Sequence, residues 1–132
     1  MTVFSEKLFE MKLLSYLITG SASLYALQAS RIFPLTLPET STLPATTYQK
    51  IPGGAHTTYH AGLSGYEESR YQFNIWAADK LTARNTADAL IWTLGRWTGT
   101  ASYVNDDFDR YEPTTKLFGV VIDVEFGKSN LF

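Results

Sequence analysis

The first twenty residues carry apolar side chains at helical spacing. Separations of four, three, three and four place five of them on one stripe of a helix: Phe4, Leu8, Met11, Leu14 and Ile18. Three further apolar residues widen that face: Phe9, Leu13 and Leu17. Ser5 is placed to cap the N-terminus of this helix, and Gly20 is placed to end it. A second, shorter helix is expected from Ser21 or Ser23 to Ala29.

Three prolines follow the predicted helices, at Pro34, Pro38 and Pro44. Proline fixes its own φ, lacks the N–H that a strand ladder uses, and pushes the preceding residue toward extended geometry. We therefore expect a stiff extended arm on the outside of a sheet. It begins at Arg31 and leads, without a helix, into a strand over residues 45–51.

The clearest strand pattern lies between Tyr66 and Ala77, where apolar and mainly polar positions alternate. The two sets are Tyr71, Phe73, Ile75 and Ala77 on one face and Arg70, Gln72, Asn74 and Trp76 on the other. Strict alternation predicts one buried face and one less buried face, with Trp76 the exception among the polar residues. The glycine-rich residues 52–66 before this strand predict either a long loop or the tip of a flexible hairpin.

The second half of the chain predicts a helix and then further strands. Asp79 is placed to cap a helix that runs to about Leu94 and ends at Gly95. Its apolar stripe consists of Ala83, Ala87, Leu90, Ile91 and Leu94. A strand is expected to start at residues 100–103, followed by an acidic and aromatic hairpin at 105–115. Residues 118–126 alternate as a final strand, and residues 127–132 are expected to fray unless they dock on a neighbour.

These elements predict one α+β domain spanning residues 1–132. The expected architecture is a roughly four-stranded, mainly antiparallel sheet with two main helices packed on one face, plus the proline-rich arm and the long hairpin or loop. Charged residues make up 18% of the chain, below the usual value of about 25%, which indicates that partners cover part of the surface. A net charge of −2 provides no basic footprint for nucleic acid, and the absence of cysteine excludes a disulfide framework and a zinc–thiolate site.

The apolar run after Lys12 has the outline of a short secretory signal. However, Glu6 and Glu10 occupy positions where such a signal is basic, and the apolar residues recur at helical spacing. No run approaches the roughly 18 apolar residues that a membrane span needs. We therefore expect neither a leader nor a membrane segment.

Candidate catalytic and metal-binding residues are few. His56 and His60 are separated by four positions, but the intervening glycine- and threonine-rich chain is not helical and no third ligand lies beside them. The carboxylates at 106, 107, 109 and 112 do not follow the spacing of a calcium loop, and no partner for acid–base work is identifiable. Gly53 and Gly54 lack the lysine and helix of a phosphate-binding loop. We expect no enzyme activity, catalytic residue, metal or cofactor.

Interaction with other proteins is the remaining expectation. Three tryptophans and eight tyrosines are many for 132 residues, and these side chains contribute much of the energy of protein interfaces. A stacking platform for single-stranded nucleic acid, built on Tyr71, Phe73 and Trp76, is disfavoured because two of the three lie on the predicted core face and basic residues are sparse. Trp92 lies at the edge of its helix's apolar stripe, so it could belong either to the core or to an interface. Trp97 is placed to cover the end of that helix.

Four segments in order resemble a known family. They are residues 31–34 (RIFP), 43–50 (LPATTYQK), 71–77 (YQFNIWA) with Asp79, and 108–118 (FDRYEPTTKLF). Together they resemble the small tail-completion proteins of long-tailed bacteriophages, a family that includes tail terminators. The resemblance spans nearly the whole chain, although the first 30 residues match only in helical character and residues 53–65 are idiosyncratic.

The resemblance implies a structural protein of the virion neck, assembled in the cytoplasm of the bacterial host. Six copies would form a ring that caps the tail tube, stops its polymerisation and docks the head-side connector, while DNA passes through the centre without sequence-specific contact. The implied partners are further copies of the chain, the major tail-tube protein and the head-completion protein. Candidate interface residues are Gly53, His56, Tyr59, His60, Tyr66, Trp76, Trp92, Asp106, Asp107, Phe108, Asp109, Arg110, Tyr111, Leu131 and Phe132. A head-side connector or stopper is the alternative, and a small accessory enzyme or nucleic-acid-binding protein is a further one.

Overall fold

A computed structural model describes residues 6–52, 56–57, 66–98 and 101–129. Within these ranges the chain forms three helices and six strands. In chain order they are α1 (Glu6–Thr19), α2 (Ala22–Gln28), β1 (Ile32–Pro34), β2 (Ala45–Ile51), β3 (His56–Thr57), β4 (Tyr66–Ala77), α3 (Lys80–Gly95), β5 (Ala101–Glu112) and β6 (Leu117–Ser129).

All the described strands belong to one sheet, whose main path has the order β1-β2-β4-β6-β5, with β3 pairing on β4. β1 runs parallel to β2, and the other pairs are antiparallel. The predicted α+β class is confirmed. The sheet has six strands where about four were expected, because residues 32–34 of the arm pair with β2 and residues 56–57 pair with β4.

β5 is much longer than the strand predicted to start at residues 100–103. It runs through the acidic residues to Glu112 and pairs with β6 along its whole length, with a register shift between Val104 and Asp106. Asp and Asn have low intrinsic strand propensity. Pairing with the strongly alternating β6 outweighs that local preference, and the turn at residues 113–116 joins the two strands into one hairpin.

The helices cover one face of the sheet, and the core lies between them. The fully buried residues of β4 and β6 on this face are Tyr71, Phe73, Ile75, Ala77, Ile122, Val124 and Phe126. Phe9 of α1 contacts this layer, with ring centroids 5.7 Å from Tyr71 and 5.2 Å from Phe126. The predicted buried and polar faces of β4 are therefore confirmed.

The buried face of α1 differs from the predicted stripe. Phe9, Leu13 and Leu17 are fully buried, whereas Leu8 is 38% and Met11 58% exposed. Apolar residues occur almost all round this helix, so its sequence left two faces able to pack, and contact with the sheet selected one of them. Phe4 and the expected Ser5 cap lie outside the described residues.

Helix α3 follows its prediction closely. The Asp79 carboxylate accepts a hydrogen bond from the Thr82 amide at 2.8 Å, and this capping contact holds the pKa of Asp79 below its ordinary value. The stripe residues of α3 are buried except for Ile91, which is half-buried. The helix ends at Gly95 as expected.

Trp97 follows the end of α3, and its ring packs against α1. Its ring stacks on Tyr16 at 5.4 Å and lies 5.8 Å from Phe9. The Tyr16 hydroxyl donates to the Thr93 carbonyl at 2.7 Å. These contacts bind α1 to α3, so that the two helices form one layer over the sheet. No helix within the described residues is long and apolar enough to cross a membrane.

Candidate functional site

The face of the sheet opposite the helices carries a cleft of about 600 Å³. Its floor consists of neighbouring side chains from β2 and β4, since Thr47 pairs with Asn74 and Gln49 pairs with Gln72. The arm and the β5–β6 hairpin form its sides. The remaining lining residues are Leu35, Thr36, Leu37, Trp76, Arg110, Glu112, Thr114, Thr115 and Leu117. The alternation that buries one face of β4 therefore leaves its other face to build this cleft.

Trp76 is held at one end of the cleft by its neighbours on the sheet. Trp76 pairs with Gly119 of β6, and a Cβ added at Gly119 would lie 3.0 Å from the Ile75 carbonyl oxygen and 3.2 Å from the Trp76 ring. A side chain at this position would therefore crowd both the ring and the neighbouring backbone. The Arg110 guanidinium lies 5.0 Å from the centroid of the Trp76 ring, a cation–π arrangement, and donates to the Asn74 side-chain oxygen at 3.4 Å.

The charges beside the floor are paired with each other. Arg70 donates to the Asp123 carboxylate with two nitrogens, one of them, Nε, at 3.0 Å. These bonds to Asp123 raise the pKa of Arg70 above its ordinary value. Asp123 is buried, and the bidentate contact satisfies both of its oxygens. The floor therefore presents uncharged hydroxyl and amide groups, with Arg110 and Glu112 on one side wall.

The acidic residues of β5 are divided between the two faces of the sheet. Asp107 and Asp109 point to the helix side, where Arg84 of α3 donates to them at 3.0 and 2.8 Å. The bond from Arg84 lowers the pKa of the Asp109 carboxyl below its ordinary value of 3.8, and Lys80 at 3.6 Å adds to the effect. These two carboxylates fasten β5 to α3 and do not face the cleft. No group of three or more side chains suited to a metal ion occurs in the described ranges.

The structure brings together a few of the predicted interface residues. Trp76 and Arg110 line the cleft, and the β5–β6 register places Asp106 and Phe108 on the same face of the sheet. Tyr111 shares the helix side with Asp107 and Asp109, and its ring lies 4.9 Å from that of Phe118.

Trp92 lies on the outer surface of α3, away from the cleft. It is 56% exposed, with the Arg96 guanidinium 4.7 Å from its ring centroid. The sequence left two roles for Trp92, in the core or in an interface. The structure removes the first, because Trp92 is not part of the core.

Other predicted residues lie at the far end of the sheet or outside the described chain. The backbones of His56 and Tyr66 belong to β3 and β4. Five residues lie outside the described ranges: Gly53, Tyr59, His60, Leu131 and Phe132. The cleft floor and Leu35 were not predicted from the sequence. The alternating pattern indicated the polar face of β4, but it did not indicate that β2 and the arm lie beside that face.

These features define a class of small α+β domain with one helix-covered face and one open face that carries a cleft. A chain in the solved structure of the virion of a native gene transfer agent particle has the same fold, with a TM-score of 0.67 and 13% sequence identity. The match covers 88% of this chain and 91% of that chain. At this identity the likeness shows a shared fold. No known protein family and no curated protein matches the sequence.

Proposed function

We propose that this chain is a structural protein of a phage-like virion and that it acts in the neck as a tail terminator. The observation that carries the proposal is the fold shared along 88% of its length with a chain of a gene transfer agent virion. The tail-completion segments in the sequence support the more specific role. In this role the chain is not an enzyme and uses no cofactor.

The proposed assembly is a closed ring of six copies on the end of the tail tube. A closed ring uses heterologous interfaces, in which two different surfaces of each subunit meet. The exposed apolar side chains offer such surfaces, since Leu35 lies on the open face beside the half-buried Trp76, while Leu81, at 70% exposure, and Trp92 lie on the helix layer. Exposed Trp and Leu anchors of this kind are typical of surfaces that partners cover.

The ring would stop tube polymerisation and offer its other side to the head-completion protein. Six copies at −2 each carry a formal charge of −12, which does not attract the phosphate backbone of passing DNA. Tight binding of duplex DNA by the assembled ring at physiological salt would contradict a passive conduit.

The decisive experiment is a nonsense allele of this gene in its phage or phage-like element, with the lysate imaged by negative-stain electron microscopy. We expect tubes of uncontrolled length, separate from filled heads. Tails of normal length beside filled or leaking heads would move the protein to the head-side connector. Intact, joined particles would overturn both neck roles and favour an accessory function.

A further inference from the structure

A β-bulge in β5 places two exposed aromatic side chains on the open face of the sheet. Tyr103 and Phe108 are five positions apart, so a regular strand would point them to opposite faces. The register shift within β5 brings them to one face, because Tyr103 pairs with Glu125 and Phe108 pairs with Val121. Tyr103 is 67% and Phe108 46% exposed. The solvated face of an antiparallel sheet normally carries polar side chains, so these rings indicate a surface that a partner covers.

Carboxylates surround these two rings. Asp106 is exposed on β5 between them, and Asp123 and Glu125 lie beside it on β6. Arg70 of β4 pairs with Asp123. Among the side chains described in this part of the face, three carboxylates and one guanidinium therefore leave two negative charges. The next residue of β5 on this face, Arg110, belongs to the lining of the cleft. We name this surface the acidic patch; it consists of Tyr103, Asp106, Phe108, Asp123 and Glu125.

The outer face of α1 has the complementary composition. Leu8 and Met11 are exposed there, on the side of the helix away from its buried stripe. Residues four positions apart adjoin on a helix surface. Lys7 therefore adjoins Met11, and Lys12 adjoins Leu8, and both lysines are exposed. These four residues form what we name the basic face of α1, in which two apolar side chains lie between two cations.

The charges of the two helices make α1 the better complement to the acidic patch. Glu10, which lies between the lysines in sequence, is half-buried on the side next to the sheet. Burial and, after it, the charge of Glu10 raise the pKa of Tyr48 in β2 above its ordinary value. On α3, by contrast, Asp88 and Arg96 are both exposed one helical turn from Trp92, and their charges cancel.

The acidic patch and the basic face of α1 cannot meet within one copy. Helix α1 packs on the helix side of the sheet through Phe9, whereas the patch lies on the open face. Their lengths match, since the patch spans about 13 Å between Tyr103 and Phe108 and residues 7–15 of a helix span about 12 Å. Two different surfaces on opposite sides of a subunit produce a head-to-tail contact between copies.

We propose that the basic face of α1 in one copy packs on the acidic patch of the next copy. Leu8 and Met11 cover the two aromatic rings, and the two lysines lie opposite the carboxylates. Opposite charges of this kind steer the encounter and fix the register of the contact. The closure of these contacts into a ring of six rests on the proposed neck function, whereas the docking itself does not.

Zero-length cross-linking with a water-soluble carbodiimide tests the contact in the natural sequence, because the reagent joins an amine to a carboxylate only where the two touch. Unlabelled and heavy-isotope-labelled protein are mixed and added to a lysate of the null phage, and completed particles are cross-linked and digested. We expect mixed-isotope peptides that join Lys7 or Lys12 to Asp106 or Glu125. Lys116, exposed in the β5–β6 turn, is the internal control and should not link to these carboxylates.

Charge reversal tests the same contact by complementation of the null phage. The double substitution Lys7→Glu and Lys12→Glu should lower incorporation into particles at least about tenfold, because like charges then face each other. Its Tm should stay within about 4 °C of the parent, since both side chains are exposed. Adding Asp106→Lys and Glu125→Lys to the same chain should restore incorporation to within about threefold of the parent.

The matched control combines Lys7→Glu and Lys12→Glu with Glu39→Lys and Asp88→Lys. Both of these acidic residues are exposed and lie outside the acidic patch. The control chain has the same net charge of −2 as the parent and as the restored chain, and it should remain defective. If the substitutions in the patch lower Tm, the cross-link in the natural sequence still decides the question.

The outcomes separate this inference from the proposed function. Particles that contain the protein but give no mixed-isotope link between these groups would overturn the docking and leave the neck role intact. A restored chain that folds but is incorporated no better than its matched control would do the same. Mixed-isotope links in the purified protein, together with intact particles formed without the protein, would support the docking and overturn the neck role. Links confined to peptides of a single isotope would overturn the docking.

Discussion

Trp76→Ala and Trp92→Ala are expected to damage the protein in different ways. The Trp76 ring lies over Gly119 with the Arg110 guanidinium 5.0 Å from its centroid, and it is half-buried. Trp92 is 56% exposed, and the neighbouring Arg96 guanidinium lies 4.7 Å from its ring centroid. The first substitution therefore removes packed surface from the fold, whereas the second removes a side chain from the outer surface of α3.

The magnitude follows from the area that each ring buries. Trp side chains bury about 150–250 Å² when packed; a half-buried ring therefore loses about 75–125 Å², or about 2–3 kcal/mol at 25 cal/mol per Å². The compactness of the unfolded chain lowers this figure to about 1.5–2.5 kcal/mol. For a chain of 132 residues, 1 kcal/mol corresponds to about 4 °C, so Trp76→Ala should lower Tm by roughly 6–10 °C. Trp92→Ala should change Tm by no more than about 2 °C.

Thermal unfolding followed by circular dichroism measures both shifts, and incorporation into particles by complementation of the null phage measures assembly. We expect Trp92→Ala to melt normally and, if its face meets a partner, to assemble poorly. Trp76→Phe should lie between the parent and Trp76→Ala, because it retains an aromatic ring over Gly119. A larger loss of Tm for Trp92→Ala than for Trp76→Ala would refute the assignment of the two rings to fold and surface.

Three further predictions test the packing and electrostatics. Gly119→Ala should lower the free energy of unfolding by about 1–3 kcal/mol, because the new Cβ would lie 3.0 Å from the Ile75 carbonyl oxygen. Gly95→Ala should raise it by about 0.5–1 kcal/mol, because nothing lies within 4 Å of a Cβ at that position. Urea denaturation measures both changes. Leu13→Ala should lower the free energy of unfolding by about 2–5 kcal/mol, and Met11→Ala by no more than about 0.5 kcal/mol. Equal losses in the two variants would contradict the buried face assigned to α1. Because the pKa of Asp109 is lowered, its ionised form contributes stability above the ordinary value of 3.8 that disappears as pH falls through the lowered pKa. The stability difference between parent and Asp109→Asn should therefore be present at about pH 6 and vanish near about pH 2, and a difference independent of pH would refute the ion-pair origin.

Elements with one dominant pattern were predictable from sequence. In β4 the alternation admits only one register of buried and exposed faces, and in α3 an Asp cap, a narrow alanine and leucine stripe and a final glycine all indicate the same bounds. Where local signals agree in this way, tertiary contacts have little to change.

Elements with two competing patterns were not predictable. Helix α1 carries apolar residues on both sides. Packing against the sheet determined that the Phe9–Leu13 side is buried and the Leu8–Met11 side is not. The acidic residues of β5 have low strand propensity, and only pairing with β6, together with the Arg84 contacts, holds them in a strand.

The candidate site shows the same division. Trp76 and Arg110 were chosen as aromatic and charged interface candidates from sequence, and both line the cleft. Gln49 and Leu35 gave no signal, because they become part of a site only when β2 lies beside β4 and the arm folds along its edge. Conversely, Asp107 and Asp109 were predicted as interface residues, and within the subunit both carboxylates accept hydrogen bonds from Arg84 of helix α3.

The sequence by itself determined the α+β class, the bounds of α3, the two faces of β4 and the absence of thiol chemistry, because each depends on local periodicity, capping or composition. The tertiary structure decided the face of α1, the length of β5, the pairing of the arm with β2 and the existence of the cleft. Those features depend on which strands pair and in what register, a choice made by the free energy of burying the whole core between residues far apart in the chain.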